Sequence, residues 1–108
     1  MKVRGRLAGT DQAGDFQKAI SFFEQAIEKD PKYALAYSGL ADAYALFTAY
    51  TNAPARELMP KAKEAALKAL ALDDNLAEAH ASLGQIASYY DYDFATTERE
   101  YRRAIEPE

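Results

Sequence analysis

Apolar residues recur along this chain at steps of three and four, and the polar breaks between the stretches fall at proline or at clustered aspartate. Phe16, Ala19, Ile20, Phe23, Ala26 and Ile27 form the first stripe, the mark of one apolar face on a 3.6-residue helix. This helix is predicted to start between Asp11 and Asp15, with Thr10, Asp11 or Asp15 as its cap, and to end near Lys29. Asp30-Pro31 stops it, because proline disfavours the helical conformation of the residue before it. Tyr37, Leu40, Ala41 and Tyr44 carry a second stripe, on a helix from about Lys32 to Phe47. A longer connection follows, with Asn52 as the cap of a third helix and Pro54 early in it. That helix reaches about Leu72 and turns Leu58, Ala62, Ala65, Ala66, Ala69 and Leu70 inward. Pro60 has to lie near its first turn or kink it, since a mid-helix proline costs about 3 kcal/mol. Beyond the polar turn Asp73-Asp74-Asn75, a fourth helix is predicted from about Leu76 to Tyr89 and a fifth from about Asp93 to Ile105. Residues 1–13 form an N-terminal arm that reads equally as a short helix or a loop, with Val3, Leu7 and Ala8 to bury; residues 107–108 are a tail.

Two helices joined by a tight turn cannot bury both of their stripes, so more of the same has to follow. Residues 34–41, Ala-Leu-Ala-Tyr-Ser-Gly-Leu-Ala, match residues 77–84, Ala-Glu-Ala-His-Ala-Ser-Leu-Gly, at a displacement of 43. Phe16, Ala19, Phe23, Ala26 and Ile27 match Phe94, Thr97, Tyr101, Ala104 and Ile105 at a displacement of 78. Two helix types alternate, and the expected fold is an all-α stack of helical hairpins over residues 14–106.

Tyr37-x2-Leu40-Ala41-x2-Tyr44, Ala19-x3-Phe23-x2-Ala26-x4-Pro31 and His80-x2-Leu83-Gly84 resemble the tetratricopeptide repeat, in which small residues let helices approach and large ones fill the holes opposite. The resemblance implies a right-handed α-α superhelix of about two and a half repeats. The middle unit departs from the family pattern: it is 43 residues long rather than about 34, with Ala66 where an aromatic is usual and Asp74 in place of the terminal proline. A finer likeness, carried by Phe23-Glu-Gln-Ala-Ile, the run from Tyr33 to Tyr44, Met59-Pro-Lys-Ala-Lys and Leu76-Ala-Glu-Ala-His, is to repeat segments of bacterial multidomain regulators, where they follow winged-helix, protein-kinase or nucleotide-cyclase domains.

Charge and composition narrow the function. Lys2, Arg4 and Arg6 carry three of the positive charges in a chain of net charge −4, leaving −7 for residues 7–108. An acidic body disfavours nucleic-acid phosphates and anionic lipid as partners. The chain has no cysteine, hence no disulfide framework and no thiolate metal site, and the expectation leans to the cytoplasm. No apolar run approaches the roughly 20 residues that span a bilayer.

Candidate chemistry is sparse. His80 is the only histidine and sits at the aromatic position equivalent to Tyr37, so it reads as a packing residue; no metal site is expected. Asp91 and Asp93 lie in a turn, and Glu98, Glu100 and Glu106 alternate with Arg99, Arg102 and Arg103, which reads as solvated faces and helix pairs. No phosphate-binding loop or nucleophile elbow is present, so neither catalytic residues nor a cofactor are expected and the chain reads as a non-enzyme. Tyr50, Tyr89 and Tyr92 are candidate exposed anchors for a peptide. The edge of the second helix opposite its packed face presents Leu35, Ser38, Asp42 and Ala45, with Ala49 next in line, and the equivalent edge of the fourth presents Glu78, Ala81, Gln85, Ser88 and Tyr89. The family resemblance implies that such edges line a concave groove for a peptide or helix of a partner. Relatives that grip a terminal carboxylate use lysine, asparagine and arginine there; none stands at these positions, which points to an apolar or basic partner rather than an acidic one. The alternative is self-association as a homodimer, through apolar end faces carrying Val3 and Leu7 at the front and Phe94, Tyr101 and Ile105 at the back.

Overall fold

The computed structural model describes residues 12–88 and 94–106. Its helices are α1 (Gln12–Lys29), α2 (Ala34–Tyr50), α3 (Ala55–Leu72), α4 (Ala77–Ile86) and α5 (Phe94–Ile105). Each packs on the next along the chain except that α4 follows α3 more loosely, and α2 also touches α4. The described residues thus form an all-helical stack of adjacent pairs, as the stripes predict.

α2 is the axis of this stack because it is apolar on nearly every side: Asp42 is its only charged residue. The core lies where α2, α3 and α4 meet. Ala41, Ala45, Ala62, Ala65 and Ala66 let the helices approach closely, and Tyr44, Met59, Leu83 and Ile86 fill the spaces between them. Ile86 is almost wholly buried, which is worth about 1.5–3 kcal/mol relative to an exposed side chain. α1 buries no residue completely; Ile20 packs against the core, and Phe16 lies 6.0 Å from Phe47 and 6.4 Å from Tyr50, ring centre to ring centre.

The turns explain why the middle unit does without proline. The Asp30 carboxylate accepts a hydrogen bond from the Lys32 N–H at 3.2 Å, and the Asp73 carboxylate accepts one from the Asn75 N–H at 3.1 Å. The carbonyls of the same aspartates accept from Tyr33 and Leu76, at 3.0 and 3.1 Å. One aspartate-built turn therefore recurs at the displacement of 43, and its geometry needs the side chain two residues before the bonded N–H rather than the proline.

Three boundaries differ from those predicted. α2 runs three residues past Phe47 because both the N–H and the hydroxyl of Thr51 bond the Phe47 carbonyl, at 3.1 and 2.5 Å. The connection to α3 is correspondingly short, and Pro54, not Asn52, occupies the position before that helix, its carbonyl accepting from Glu57 and Leu58. α4 is regular only to Ile86, and residues 87–88 form a wider turn, with the Ala87 N–H reaching both Leu83 and Gly84. Pro60 stands in the second turn of α3, exposed, and leaves the Arg56 carbonyl without its helical donor. Thr10, Asp11, Val3, Leu7, Tyr89, Tyr92, Asp91, Asp93 and the tail 107–108 lie outside the described residues.

Candidate functional site

Asp42 faces α4 from the middle of α2. The Ser82 hydroxyl lies 2.5 Å from Asp42 Oδ1 and 2.9 Å from the Glu78 carbonyl, and its single hydrogen is shared between those two acceptors. Around this contact opens a cleft of about 310 Å³ lined by Asp42, Leu46, Glu78, Ala81, Ser82 and Gln85. A second cleft, of about 330 Å³, continues past Leu46 and Gln85 to Ala45, Thr48, Ala49, Tyr50, Ala55 and Met59, with the Thr48 hydroxyl turned onto the Ala45 carbonyl and the Met59 sulfur. The two form one groove, acidic at the α4 start and apolar at the α2 end, and none of these lining residues is basic.

Burial pushes the Asp42 carboxyl above its ordinary value of 3.8, and the nearby Glu78 adds to this while the Ser82 hydrogen bond opposes both. A carboxyl that holds its proton to higher pH in the folded chain favours folding in acid, and that contribution is lost as pH rises through the folded-state value. Asp42→Asn is therefore expected to be at least as stable as the parent at pH 7, with a flatter stability profile between about pH 4 and 7 in urea titrations. A variant less stable at pH 7, with the parent's slope, would show that the carboxylate holds the fold together.

Of the residues predicted for the groove, Asp42, Glu78, Ala81 and Gln85 are brought together. Ser38 is 2% exposed and lies inside the stack, so it is not on the groove surface. Ala45 is 8% exposed and contributes only to the floor of the apolar end. Leu35 is on another face, beside Phe22, Phe23 and Tyr33 near the α1–α2 turn. Ser88 is half-buried in the turn after α4 and lines neither cleft. Leu46 and Ser82, one position from two of the predicted residues, complete the groove. Tyr50 belongs to α2 rather than to a connection, is 63% exposed, and stacks on Phe16 with the rings 11° from parallel.

α1 and α2 meet closely at Gly39, where an added Cβ would lie 2.4 Å from the Phe23 ring. This is the small-against-aromatic contact that the pattern of residues 19–44 implies. Residues 12–51 match the tetratricopeptide repeat family model. No curated protein matches the chain. The matched repeat is the α1–α2 pair, and α3 to α5 continue its helical stack.

His80 stands in α4 at the position that Tyr37 occupies in the tetratricopeptide match, and it is buried as expected of a packing residue. Its role is nevertheless polar. Nε2 lies 2.7 Å from the Asp74 carbonyl, which can only accept, so Nε2 carries a hydrogen. Nδ1 lies 2.5 Å from Glu100 Oε1, with one proton between them, and Arg99 Nε approaches Oε2 at 3.2 Å. Glu100 is 7% exposed, which corrects its reading as part of a solvated face; Glu98, paired with Arg102 at 3.2 Å, fits that reading. The burial of Glu100 follows from the contact of α5 with α4: position 100 lies one turn after Thr97 and one before Ala104, beside the stripe, and the helix turns this edge inward while Tyr101 and Ile105 of the stripe stay exposed. Arg103 reaches Asp74 at 3.5 Å, so the α3–α4 turn, α4 and α5 are joined by one polar cluster. Among the described residues no group of three potential ligands gathers around one point for a metal ion, and no helix is long and apolar enough to cross a membrane.

Proposed function

We propose that this chain is a non-catalytic protein-interaction module that holds a peptide or helix of a partner in the groove between α2 and α4, and that the bound segment is apolar or basic. Tetratricopeptide repeats are typically interaction modules without catalysis. The observation that carries the reading here is the continuous groove with Asp42 and Glu78 at one end, Leu46, Ala49 and Tyr50 at the other, and no basic residue along these walls. The raised Asp42 carboxyl supports it, since a charge that does not favour the fold is more readily understood as serving a bound cation. The residue-level likeness to repeat segments of bacterial regulators supports a cytoplasmic setting beside such domains. The test is a random dodecapeptide display library selected on the parent chain and on Ala81→Arg. The parent should enrich apolar or basic peptides, and Ala81→Arg should lose them while melting at an unchanged temperature. Enrichment of acidic peptides, or of peptides indifferent to Ala81→Arg, would overturn the reading.

The homodimer reading is favoured by one observation: Tyr101 and Ile105 are exposed on α5, Ile105 at 82%. Phe94 is described only as the first residue of that helix. Light scattering over a hundredfold range of concentration should then give twice the mass of the 12.0 kDa chain; a constant 12.0 kDa would exclude it.

A further inference from the structure

We infer that the groove selects an extended segment in which a lysine or arginine precedes or follows a large apolar residue by three or four positions, the cation on Asp42 and Glu78 and the apolar side chain against Leu46, Ala49 and Tyr50. This rests on the groove being the partner site. The two ends differ in what they lack. Asp42 Oδ1 is engaged by Ser82, but Oδ2 and the Glu78 carboxylate meet no protein donor among the described residues. A cationic side chain supplies the missing donors and neutralises the repulsion between the two acids. At the other end Tyr50 is exposed yet held by stacking on Phe16, so an apolar side chain docking there meets a surface already in place.

Spacing and backbone chemistry select the extended form. Asp42 and Tyr50 are about two helical turns apart, about 12 Å along α2. An extended chain covers that distance in three to four residues at about 3.3 Å each. Between the two ends stands Gln85, which lines both clefts and whose carboxamide has no partner among the described residues. A carboxamide offers both a donor and an acceptor, which an extended backbone needs; a helical ligand has already satisfied its own peptide groups.

The experiment is an array of synthetic twelve-residue peptides in a Gly/Ser background. Each carries one Arg and one Leu separated by one to eight positions, in both orders, and matched sets carry Gln or Glu in place of Arg. Binding of the labelled parent chain, Asp42→Asn and Ala81→Arg is read by fluorescence at about 0.15 M salt. Affinity should peak at a separation of three or four. Changing Arg to Gln should weaken it about fivefold, the Glu set should bind more weakly still, and Asp42→Asn should lose the Arg preference. A peak at seven or eight, a flat dependence on spacing, or equal binding of the Arg and Glu sets would overturn the inference; if Ala81→Arg still abolished that binding, the groove would remain the partner site. Binding indifferent to Ala81→Arg, or no binding by any peptide up to millimolar concentration, would overturn both.

Discussion

Glu100→Ala is expected to destabilise the chain by about 3–5 kcal/mol, because it leaves one member of a buried, hydrogen-bonded pair without the other. Glu100 shares a proton with His80 Nδ1 and accepts from Arg99, and its removal strands His80 Nδ1 in a site that is almost closed to water. The loss is also topological. α5 packs on α4 and on no other helix to a comparable extent, so releasing its polar anchor frees the last helix of the stack. Urea denaturation should show a lower midpoint, and hydrogen exchange should show α5 losing protection before α2 and α3. The complementary variant is His80→Phe with Glu100→Leu. It restores an aromatic at the position of Tyr37 and replaces the pair with apolar contact, and should recover most of the stability lost by Glu100→Ala. A cost for Glu100→Ala below about 1 kcal/mol, the range of exposed ion pairs, would mean that the pair does not hold α5.

The contrast between Glu100 and Asp42 shows what a sequence can and cannot expose. The five helices are legible because their stripes are built from many residues at fixed steps, so a single ambiguous position does not disturb the phase. Asp42 is legible because it is a lone charge on a helix otherwise apolar, and the displacement of 43 places it level with Gln85. Glu100 is not, because its neighbours in sequence, Glu98, Arg99, Arg102 and Arg103, form a solvated pattern that hides one buried member. Its partner lies 20 residues away, and only the rotation of α5 about its axis brings the two together. The same limit applies to the groove. α2 is apolar on almost all sides, so its pattern fixes its existence more firmly than its rotation, and an error of one residue turns a side chain by about 100°. That is the distance between Ala45 on the floor and Leu46 on the wall. Where Thr51 closes α2 or Pro54 opens α3, a few hydrogen bonds decide, and propensity carries no record of them.

Gly39→Ala should show a reversal of sign that depends on Phe23. Glycine in a helix interior costs roughly 0.5–1 kcal/mol relative to alanine, so at an open position the substitution stabilises. At position 39 the new Cβ would lie 2.4 Å from Phe23 Cε1 and 2.5 Å from Cζ. The Phe23 ring also meets Phe22 edge to face at 5.5 Å, so displacing it disturbs a second aromatic contact. Overpacking of this kind costs about 1–3 kcal/mol and outweighs the propensity gain. In a Phe23→Ala background the obstacle is gone, and Gly39→Ala should then stabilise by about 0.5–1 kcal/mol. The double-mutant cycle should therefore report a coupling equal to the overpacking cost, about 1–3 kcal/mol, between the two positions. Gly84 supplies the control: its added Cβ would meet Glu100 Cβ at 3.3 Å and Tyr101 Cδ1 at 3.4 Å, tight but tolerable contacts, and Gly84→Ala should change stability little. Gly39 also sets how closely α1 approaches α2, and with it the stacking of Phe16 on the exposed Tyr50. A shift of α1 in Gly39→Ala should thus loosen the apolar end of the groove and weaken Leu-containing peptides more than it weakens the Arg contact at Asp42. A Gly39→Ala chain more stable than the parent, with no coupling to Phe23, would show that the ring swings aside and that the glycine does not govern the approach of the two helices.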